Sequence, residues 1–361
     1  MVHKMMRPTA FLFSSGRRAR LLENGPTEFL YGFAELERTG RPVAMFEEAD
    51  LGTGNKWPRL LEAASARIAG LAGVSPRLAI RFLKALRGPL AEFEVLVATT
   101  QSIGMALAAL GAAGFHDKCV ILMTMGLLEP DASNWRQALH RLALRRTTLA
   151  ALSKPEGELI RTWCGQGIDV IDFTFGVDLD FWSPAPRTVL SDEVLSIGND
   201  RARDYETLLS AWRPEFPRLT IITSLSISSD KPNVVIERGD WRGASISDVD
   251  LRERFRQARL IVTPVRETIQ PSGQSATLQA MACGRPVIMS ANKGLWDPAL
   301  MYSGICRLVP PGDAGMLSDA VASLLMNTDA AEKQGRAARR ALLDKNISAK
   351  AMASQIEKLA S

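Results

Sequence analysis

The residues best suited to chemistry lie between two apolar runs in the second half of the chain. The pattern predicts a strand at Leu260–Thr263, a loop, a helix that starts within Ser272–Ser275, a stop at Gly284 and a strand at Pro286–Ser290. Small polar residues at a helix start leave backbone N–H groups open, and the helix dipole adds partial positive charge. This start is therefore suited to binding a phosphate. A plain N-cap explains the same residues without any ligand.

A second group of residues that could bind a ligand is a cluster of basic side chains. Residues 56–90 hold seven Lys and Arg against one acid, Glu62, and Ser75, Pro76 and Gly88 mark the start and stop of a helix within them. The basic side chains on one face of this helix are Arg77, Arg81, Lys84 and Arg87. Such a helix binds anionic lipid, with about 1 kcal/mol from each basic residue near the surface, or packs its apolar face on its own sheet. Both interpretations stay open.

Metal and disulfide chemistry is not indicated. Four cysteines form no C-x-x-C pair, and only three histidines accompany them, so we expect no metal site and a reduced, cytoplasmic compartment. The apolar run Ala10–Phe13 is too short for the core of a signal peptide. A net charge of +5 is too mild to indicate nucleic acid but fits an anionic ligand or lipid headgroups.

Alternating strand-like and helix-like stretches must position these residues. Six short apolar runs in each half alternate with helical patterns such as Glu28–Thr39, which is typical of parallel α/β sheets. With 46% hydrophobic and 23% charged residues the chain is an ordinary globular protein, which excludes fibrous and disordered classes.

The length of 361 residues predicts two domains. The Pro-containing segment Trp182–Pro186 is the predicted break, giving domains 1–182 and 183–361. The helix-rich stretch from Asp329 fits either domain by pattern, and the last helix could pack back on the first.

Four segments, in this order, resemble the motifs of one family. They are Phe175–Pro184, Ser196–Leu209, Leu260–Ile288 and Val309–Asp313. The third ends in Q-A-M-A-C-G-R-P-V-I from Gln279 to Ile288, where the family reads E-A-M-A-C-G-x-P-V-I. On these residues the chain resembles the retaining glycosyltransferases of the GT-B fold, family-4 type, or glycosyl transferases group 1. The resemblance covers about Leu149 to Leu325 well and the preceding residues only in general outline.

The resemblance implies an α/β architecture of two Rossmann-like domains facing a central cleft. The N-terminal domain would bind an acceptor and the C-terminal domain a nucleotide-diphosphate sugar. It also implies transfer with retention of anomeric configuration, without a metal ion, and with the sugar nucleotide as co-substrate in place of a cofactor.

The resemblance further implies a set of donor-binding residues. Arg203 matches a basic position that neutralises the donor diphosphate, and Arg201 could compensate for Asn199, which occupies the other usual basic position. Mixed surface charge is the alternative for both arginines. Backbone N–H groups near the helix start would hold the diphosphate and Gln279 the ribose. The donor-binding set is Arg201, Arg203, Ser272, Gly273, Gln274, Ser275 and Gln279.

The sequence departs from the family at its catalytic positions. Two family glutamates seven residues apart fall on Pro271 and Gln279 here, and proline supplies no carboxylate. Glu267, four residues earlier, is the candidate catalytic carboxylate, with a solvated loop carboxylate as the alternative. The family's histidine after the fourth strand is missing from Leu122–Gly126, so no catalytic side chain is assigned in the first domain.

The loop after the first strand holds Gly16, Arg17 and Arg18. In GT-B enzymes this loop lines the cleft, which implies contact with donor phosphate or an anionic acceptor. A merely solubilising loop is the equal alternative.

The resemblance implies a hexosyltransferase-type enzyme, with a role in glycolipid or surface polysaccharide synthesis. It would be cytoplasmic or peripheral on the inner face of a membrane, with a sugar or lipid-linked acceptor and no nucleic-acid partner. A sugar-nucleotide epimerase or hydrolase of the same fold, or a non-catalytic binding protein, are the alternatives.

Overall fold

The computed structural model divides the chain into two compact units. The first is Met1–Thr174 with Lys350–Ser361, and the second is Phe175–Ala349. The residues described are 5–52, 64–65, 67, 73–128, 133–186, 189–239, 246–295, 297, 300–302 and 304–361.

The first unit is built on six parallel strands in the order β2-β1-β3-β4-β5-β6. The strands are β1 (Thr9–Phe13), β2 (Val43–Glu47), β3 (Val95–Ala98), β4 (Cys119–Thr124), β5 (Thr147–Ala151) and β6 (Asp169–Asp172). Its described helices are α1 (Arg17–Leu22), α2 (Phe33–Arg38), α3 (Pro76–Ala85), α4 (Gln101–Ala112), α5 (Asn134–Leu144), α6 (Lys154–Cys164) and, at the end of the chain, α12 (Ala349–Ala360). Apolar residues of α3 to α6 form a single core together with buried residues of this sheet.

The second unit repeats the design with the strand order β12-β11-β10-β7-β8-β9. The strands are β7 (Glu193–Ile197), β8 (Arg218–Thr223), β9 (Val234–Arg238), β10 (Leu260–Thr263), β11 (Val287–Ser290) and β12 (Arg307–Val309). The described helices are α7 (Tyr205–Ala211), α8 (Asp248–Gln257), α9 (Gln274–Ala282), α10 (Ala314–Met326) and α11 (Thr328–Asp344). The predicted class, α/β with two Rossmann-like domains, is confirmed.

Local sequence explains where the main helices begin. The Ser75 hydroxyl accepts the Leu78 N–H at the start of α3, and Pro76 needs no N–H there. Ser153 caps α6 in the same way.

One predicted helix, Glu28–Thr39, is wrong as a single element. The structure has a 3₁₀ turn at Glu28–Leu30 and then α2, separated by Gly32 at φ 91°. A Cβ at Gly32 would lie 2.5 Å from the backbone of Ala353 in α12. The predicted helix is interrupted at Gly32 because the backbone there lies against α12, more than 300 residues away in the sequence. The local sequence does not show that contact.

The division between the units falls between Thr174 and Phe175, before the predicted break. The segment at Trp182 is not a linker, because the Trp182 ring is fully buried and packs edge-on against Phe255 at 5.7 Å between centroids. The structure places α12 in the first unit, where Arg7 N–H donates to the Ala360 carbonyl at 3.0 Å.

Candidate functional site

The second sheet reverses its strand order between β7 and β10. In doubly wound sheets ligands bind outside the carboxyl ends of the strands at this switch point. The loop after β7 carries Arg203, and the loop after β10 leads into α9. The predicted phosphate-binding helix start and the predicted phosphate-binding arginine therefore belong to adjacent loops.

Backbone hydrogen bonds tie these two loops together. The Arg266 N–H donates to the Ala202 carbonyl at 2.8 Å, and the Asp204 N–H donates to the Pro264 carbonyl at 3.1 Å. Arg203 and Val265 form an isolated antiparallel bridge between them. The backbone of Arg203 is thus fixed relative to the segment that leads to α9.

Arg203 is an unusual arginine because it is 5% exposed. Its Nε donates to Asp200 Oδ2 at 2.8 Å, and the other carboxylate oxygen of Asp200 accepts the Ser272 hydroxyl. Its Nη1 is buried and has no hydrogen-bond partner among the described residues. This guanidinium nitrogen can still donate a hydrogen bond to an anion or to water.

Two glycines make room for this guanidinium. A Cβ at Gly198 would collide with Arg203 Nε, and a Cβ at Gly273 would lie 3.1 Å from Arg203 Nη1. Gly273 also has φ 79°, which favours glycine. The guanidinium therefore lies between the end of β7 and the start of α9.

The loop after β7 is held firmly. The Gly198 carbonyl accepts hydrogen bonds from the hydroxyls of Tyr205 at 2.8 Å and Thr223 at 2.7 Å. Burial raises the pKa of Tyr205 to about 12, so this phenol stays a donor at neutral pH. Asn199 joins the loop to the ends of the next strands, donating to the Gly239 carbonyl and accepting the Ser224 N–H.

The start of α9 has no side-chain cap. Its N-cap residue is Gly273. The positive end of the helix dipole therefore lies at this start, where the sequence predicts a phosphate to bind. The adjacent Ser272 is half-buried, and its hydroxyl is used by Asp200.

The glutamines predicted to bind the donor are less accessible. Gln274 and Gln279 are each 6% exposed, and both interact with other groups of the protein. Ser275 is half-buried. A ribose contact from Gln279 stays a prediction.

Glu267 and Arg201 lie at the surface of the same loops. Both side chains are exposed, and Glu267 Oε1 accepts the Lys293 N–H at 3.0 Å. The Glu267 carboxylate thus joins the loop after β10 to the segment after β11. Pro271, at a family glutamate position, is buried.

The loop Gly16–Arg18 in the first unit already has anionic partners. Glu47 Oε1 accepts the N–H groups of Arg17 at 2.6 Å and Arg18 at 2.8 Å, which are the donors a phosphate would use. The Arg18 guanidinium makes two hydrogen bonds to Asp50 and holds the pKa of that carboxyl below its usual range. An external anion would have to displace both acids, so the structure does not support the predicted phosphate contact here.

The basic helix α3 uses its apolar face inside the protein. Leu78 and Phe82 are buried in the core of the first unit, while Arg77, Lys84 and Arg87 remain exposed. Arg81 is half-buried and donates to the Glu48 carbonyl. The apolar face is therefore not available to lipid, and contact of the basic face with anionic lipid stays a prediction. Lys56, Arg59 and Glu62 of the same basic segment lie outside the described residues.

Glu156 has a structural role that the sequence does not predict. The sequence places this residue in a helix but does not show its contact with the loop after β4. Glu156 is 1% exposed, and its Oε1 accepts the N–H groups of Gly126 at 2.6 Å and Leu127 at 3.1 Å, directly after β4. Its Oε2 is buried without a partner among the described residues, and burial raises the pKa of this carboxyl. The S-x-x-E pattern from Ser153 predicts a cap, but this glutamate reaches a different loop.

We expect Glu156→Ala to lower the free energy of unfolding by about 1–3 kcal/mol, because it leaves buried N–H groups of the Gly126–Leu127 loop without an acceptor. Glu156→Gln keeps an acceptor oxygen and removes the buried charge. The pKa of Glu156 is higher in the folded state than in the unfolded state, so protonation of this carboxyl stabilises the folded protein. This stabilisation is complete below the ordinary glutamate pKa and is lost as pH rises through the raised pKa. Urea unfolding at several pH values should show Glu156→Gln gaining on the wild type as pH rises, and parallel profiles would contradict this account.

A separate cavity of about 590 Å³ lies at the amino ends of β3, β4 and β5, lined by Phe93, His116 and Thr147 among others. This is the edge of the sheet opposite to the one that binds ligands in α/β folds, so we do not place the site there.

Among the described residues, no group of three or more His, Cys, Asp and Glu is placed to hold a metal ion. No helix within the described ranges is long and apolar enough to span a bilayer.

Residues 203–327 match the family model of glycosyl transferases group 1, a stretch that begins at Arg203 and includes α9. No curated protein matches the sequence of the chain.

Solved structures match along the whole chain. Sucrose-phosphate synthase from Thermosynechococcus elongatus is 19% identical, with a TM-score of 0.71 over 98% of this chain and 98% of that one. Anabaena HepE, solved with UDP and glucose, is 16% identical, with a TM-score of 0.67 over 98% of this chain and 100% of that one. A glycosyltransferase from Rickettsia africae is 11% identical, with a TM-score of 0.67 over 98% and 97%. The chain therefore has the GT-B fold of these glycosyltransferases, and its residues 203–327 resemble those of the glycosyl transferases group 1.

Proposed function

We propose that this protein is a glycosyltransferase that moves a sugar from a nucleotide-diphosphate sugar to an acceptor hydroxyl. The observation that carries the proposal is the buried Arg203 guanidinium, with its unused Nη1 donor, beside the uncapped start of α9. The family match over the same residues and the structural likeness to HepE, solved also with UDP-glucose, support it.

The donor diphosphate would bind at the start of α9. Backbone N–H groups from Gly273 to Ser275 face the phosphates in this proposal, and Arg203 supplies the positive charge. Asp200 is the positioning residue, since it holds both the Arg203 Nε and the Ser272 hydroxyl. Gln279 contacts the ribose, and Arg201, exposed on the same loop, adds to the positive field.

In the transfer step the acceptor oxygen forms a bond to the anomeric carbon, while the bond from that carbon to the diphosphate oxygen breaks. The proton of the acceptor hydroxyl passes to the departing diphosphate. Negative charge grows on the leaving nucleoside diphosphate. A guanidinium that is already fixed stabilises this charge without reorganisation. We propose retention of configuration, as in the family that the motifs resemble, and an acceptor bound by the first unit.

Glu267 is proposed to stabilise the positive charge that develops at the anomeric carbon. We expect Glu267→Gln to lower kcat about 10²–10³-fold, because the amide keeps an acceptor for the Lys293 N–H but lacks the charge. Steady-state kinetics beside Glu215→Gln, an exposed glutamate elsewhere in the unit, provides the check. An unchanged kcat would leave Glu267 as a loop carboxylate.

The proposed reaction uses no metal ion and no cofactor, since Arg203 and the helix dipole supply the charge that a divalent cation would otherwise supply. We expect turnover in excess EDTA to equal turnover without it. Activity that disappears in EDTA and returns with added Mg²⁺ or Mn²⁺ would contradict this part of the proposal.

The biological setting proposed is the synthesis of a glycolipid or surface polysaccharide in the cytoplasm, with the basic face of α3 near the acceptor or the inner membrane surface. A screen of UDP-, GDP- and ADP-sugars by thermal shift identifies the donor, because a bound donor stabilises the folded state. NMR of the product then gives its anomeric configuration. Products formed from the sugar nucleotide without acceptor would favour an epimerase or hydrolase instead, and neither binding nor turnover would favour a non-catalytic protein.

A further inference from the structure

Helix α5 carries a row of large apolar side chains that face solvent. Trp135 is 49% exposed, Leu139 45% and Leu142 53%. Their spacing of i, i+4 and i+7 puts them on one face, and Ala138, also exposed, lies between them. This row, called the α5 stripe below, is about 10 Å long at the helical rise per residue.

The stripe is not the core face of α5. That face consists of His140, Ala143 and Leu144, which are buried, and α5 packs against α4. The helix has therefore made its contacts with the sheet and still presents a second apolar row. Contiguous exposed apolar side chains are typical of surfaces that bind another protein, a membrane or a ligand.

The charge around the stripe is mainly positive. Helix α6, which contacts α5 through Arg141 and the Trp163 ring, carries Lys154 and Arg161 against one exposed acid, Glu158. Helices α3, α4 and α5 contain no Asp or Glu at all. On α5 and at its end, Arg141 and Arg145 are exposed, and Arg77 and Lys84 are exposed on α3. The start of α3 adjoins α5, since a Cβ at Gly73 would collide with the His140 ring. Glu48 is the acid beside α3 and faces Arg81, while Glu129 and Asp131 precede α5 outside the described residues.

We propose that the α5 stripe and its flanking cations form a contact surface for an anionic lipid bilayer. Trp and Leu side chains enter the boundary between headgroups and acyl chains, and Lys and Arg bind the anionic headgroups. A second copy of the chain is disfavoured as the occupant, because a symmetric contact would bring cations against cations. The proposal does not depend on the glycosyltransferase function. It adds the apolar α5 stripe to the basic face of α3.

The test is co-sedimentation of the full chain with vesicles of phosphatidylcholine alone and of equal parts phosphatidylcholine and phosphatidylglycerol, without any sugar nucleotide. We expect binding to the anionic vesicles only, weakening as salt rises. The variant Trp135→Ser/Leu139→Ser/Leu142→Ser should bind at least about tenfold less tightly. The matched control Val249→Ser/Met316→Ser/Met326→Ser removes three exposed apolar side chains from the second unit and should bind like the wild type.

A second measurement does not depend on the stability of the triple variant. The emission of Trp135, taken as the difference between the wild type and Trp135→Phe, should shift to shorter wavelength when anionic vesicles are added. No binding of the wild type to anionic vesicles, equal binding by the stripe variant, or no shift would overturn the proposal. A wild-type dimer that becomes monomeric in the stripe variant would overturn it in favour of a second copy.

Discussion

Arg203→Met should lower kcat/KM for the donor about 10²–10³-fold while the protein stays folded. Methionine keeps the apolar length of the side chain but removes the guanidinium that would stabilise the leaving diphosphate. Asp200 loses its partner, but its side chain is 42% exposed and water replaces the lost contact. Kinetics at varied donor concentration, with circular dichroism as the check on folding, measures this effect.

The matched control is Arg340→Met, which removes an exposed arginine paired with Asp344 on α11. Exposed pairs of this kind contribute about 0–1 kcal/mol, so activity should not change. Equal losses in both variants, or none in Arg203→Met, would remove Arg203 from the donor site.

Gly273→Ala should lower both donor binding and stability. A Cβ there would lie 2.5 Å from Thr263 Cγ2 on β10 and 3.1 Å from Arg203 Nη1, at a backbone φ of 79° that favours glycine. Strain of this kind costs about 1–3 kcal/mol, and the start of α9 must move away from Arg203 to relieve it. Donor titrations and thermal unfolding of the variant measure the two effects.

Gly114→Ala separates the backbone effect from the site. Gly114 has φ 78°, but a Cβ there would meet no atom within 4 Å. This variant should lose a similar amount of stability from the backbone alone and keep full donor binding. If Gly273→Ala binds donor as well as Gly114→Ala does, the start of α9 is not the phosphate site.

Much of the fold was predictable because the central strands of both parallel sheets are fully buried. Runs such as Val95–Ala98 and Leu260–Val262 are continuously apolar, and short-range patterns detect such runs well. The predictions were less accurate where contacts between residues far apart in the sequence decide the structure. The break in the helix predicted at Glu28–Thr39 depends on α12, and the burial of Trp182 depends on Phe255.

The candidate site shows the same division. The helix start near Gly273 and the position of Arg203 follow from local pattern and family resemblance. The Asp200 contact to Ser272, which spans 72 positions, and the carboxylate of Glu156 at a loop 30 positions away do not. The pairing of Arg18 with Asp50, 32 positions away, does not follow from local pattern either.

The most direct measurement is isothermal titration calorimetry of the wild type and Arg203→Met with UDP-, GDP- and ADP-hexoses. The proposed function predicts that at least one of them binds the wild type at one site per chain. It further predicts that Arg203→Met weakens this binding about ten- to hundredfold, as expected for loss of a charged hydrogen-bond donor. No binding by any of the three, or equal binding by the wild type and the variant, would contradict the assignment of this site as the donor site.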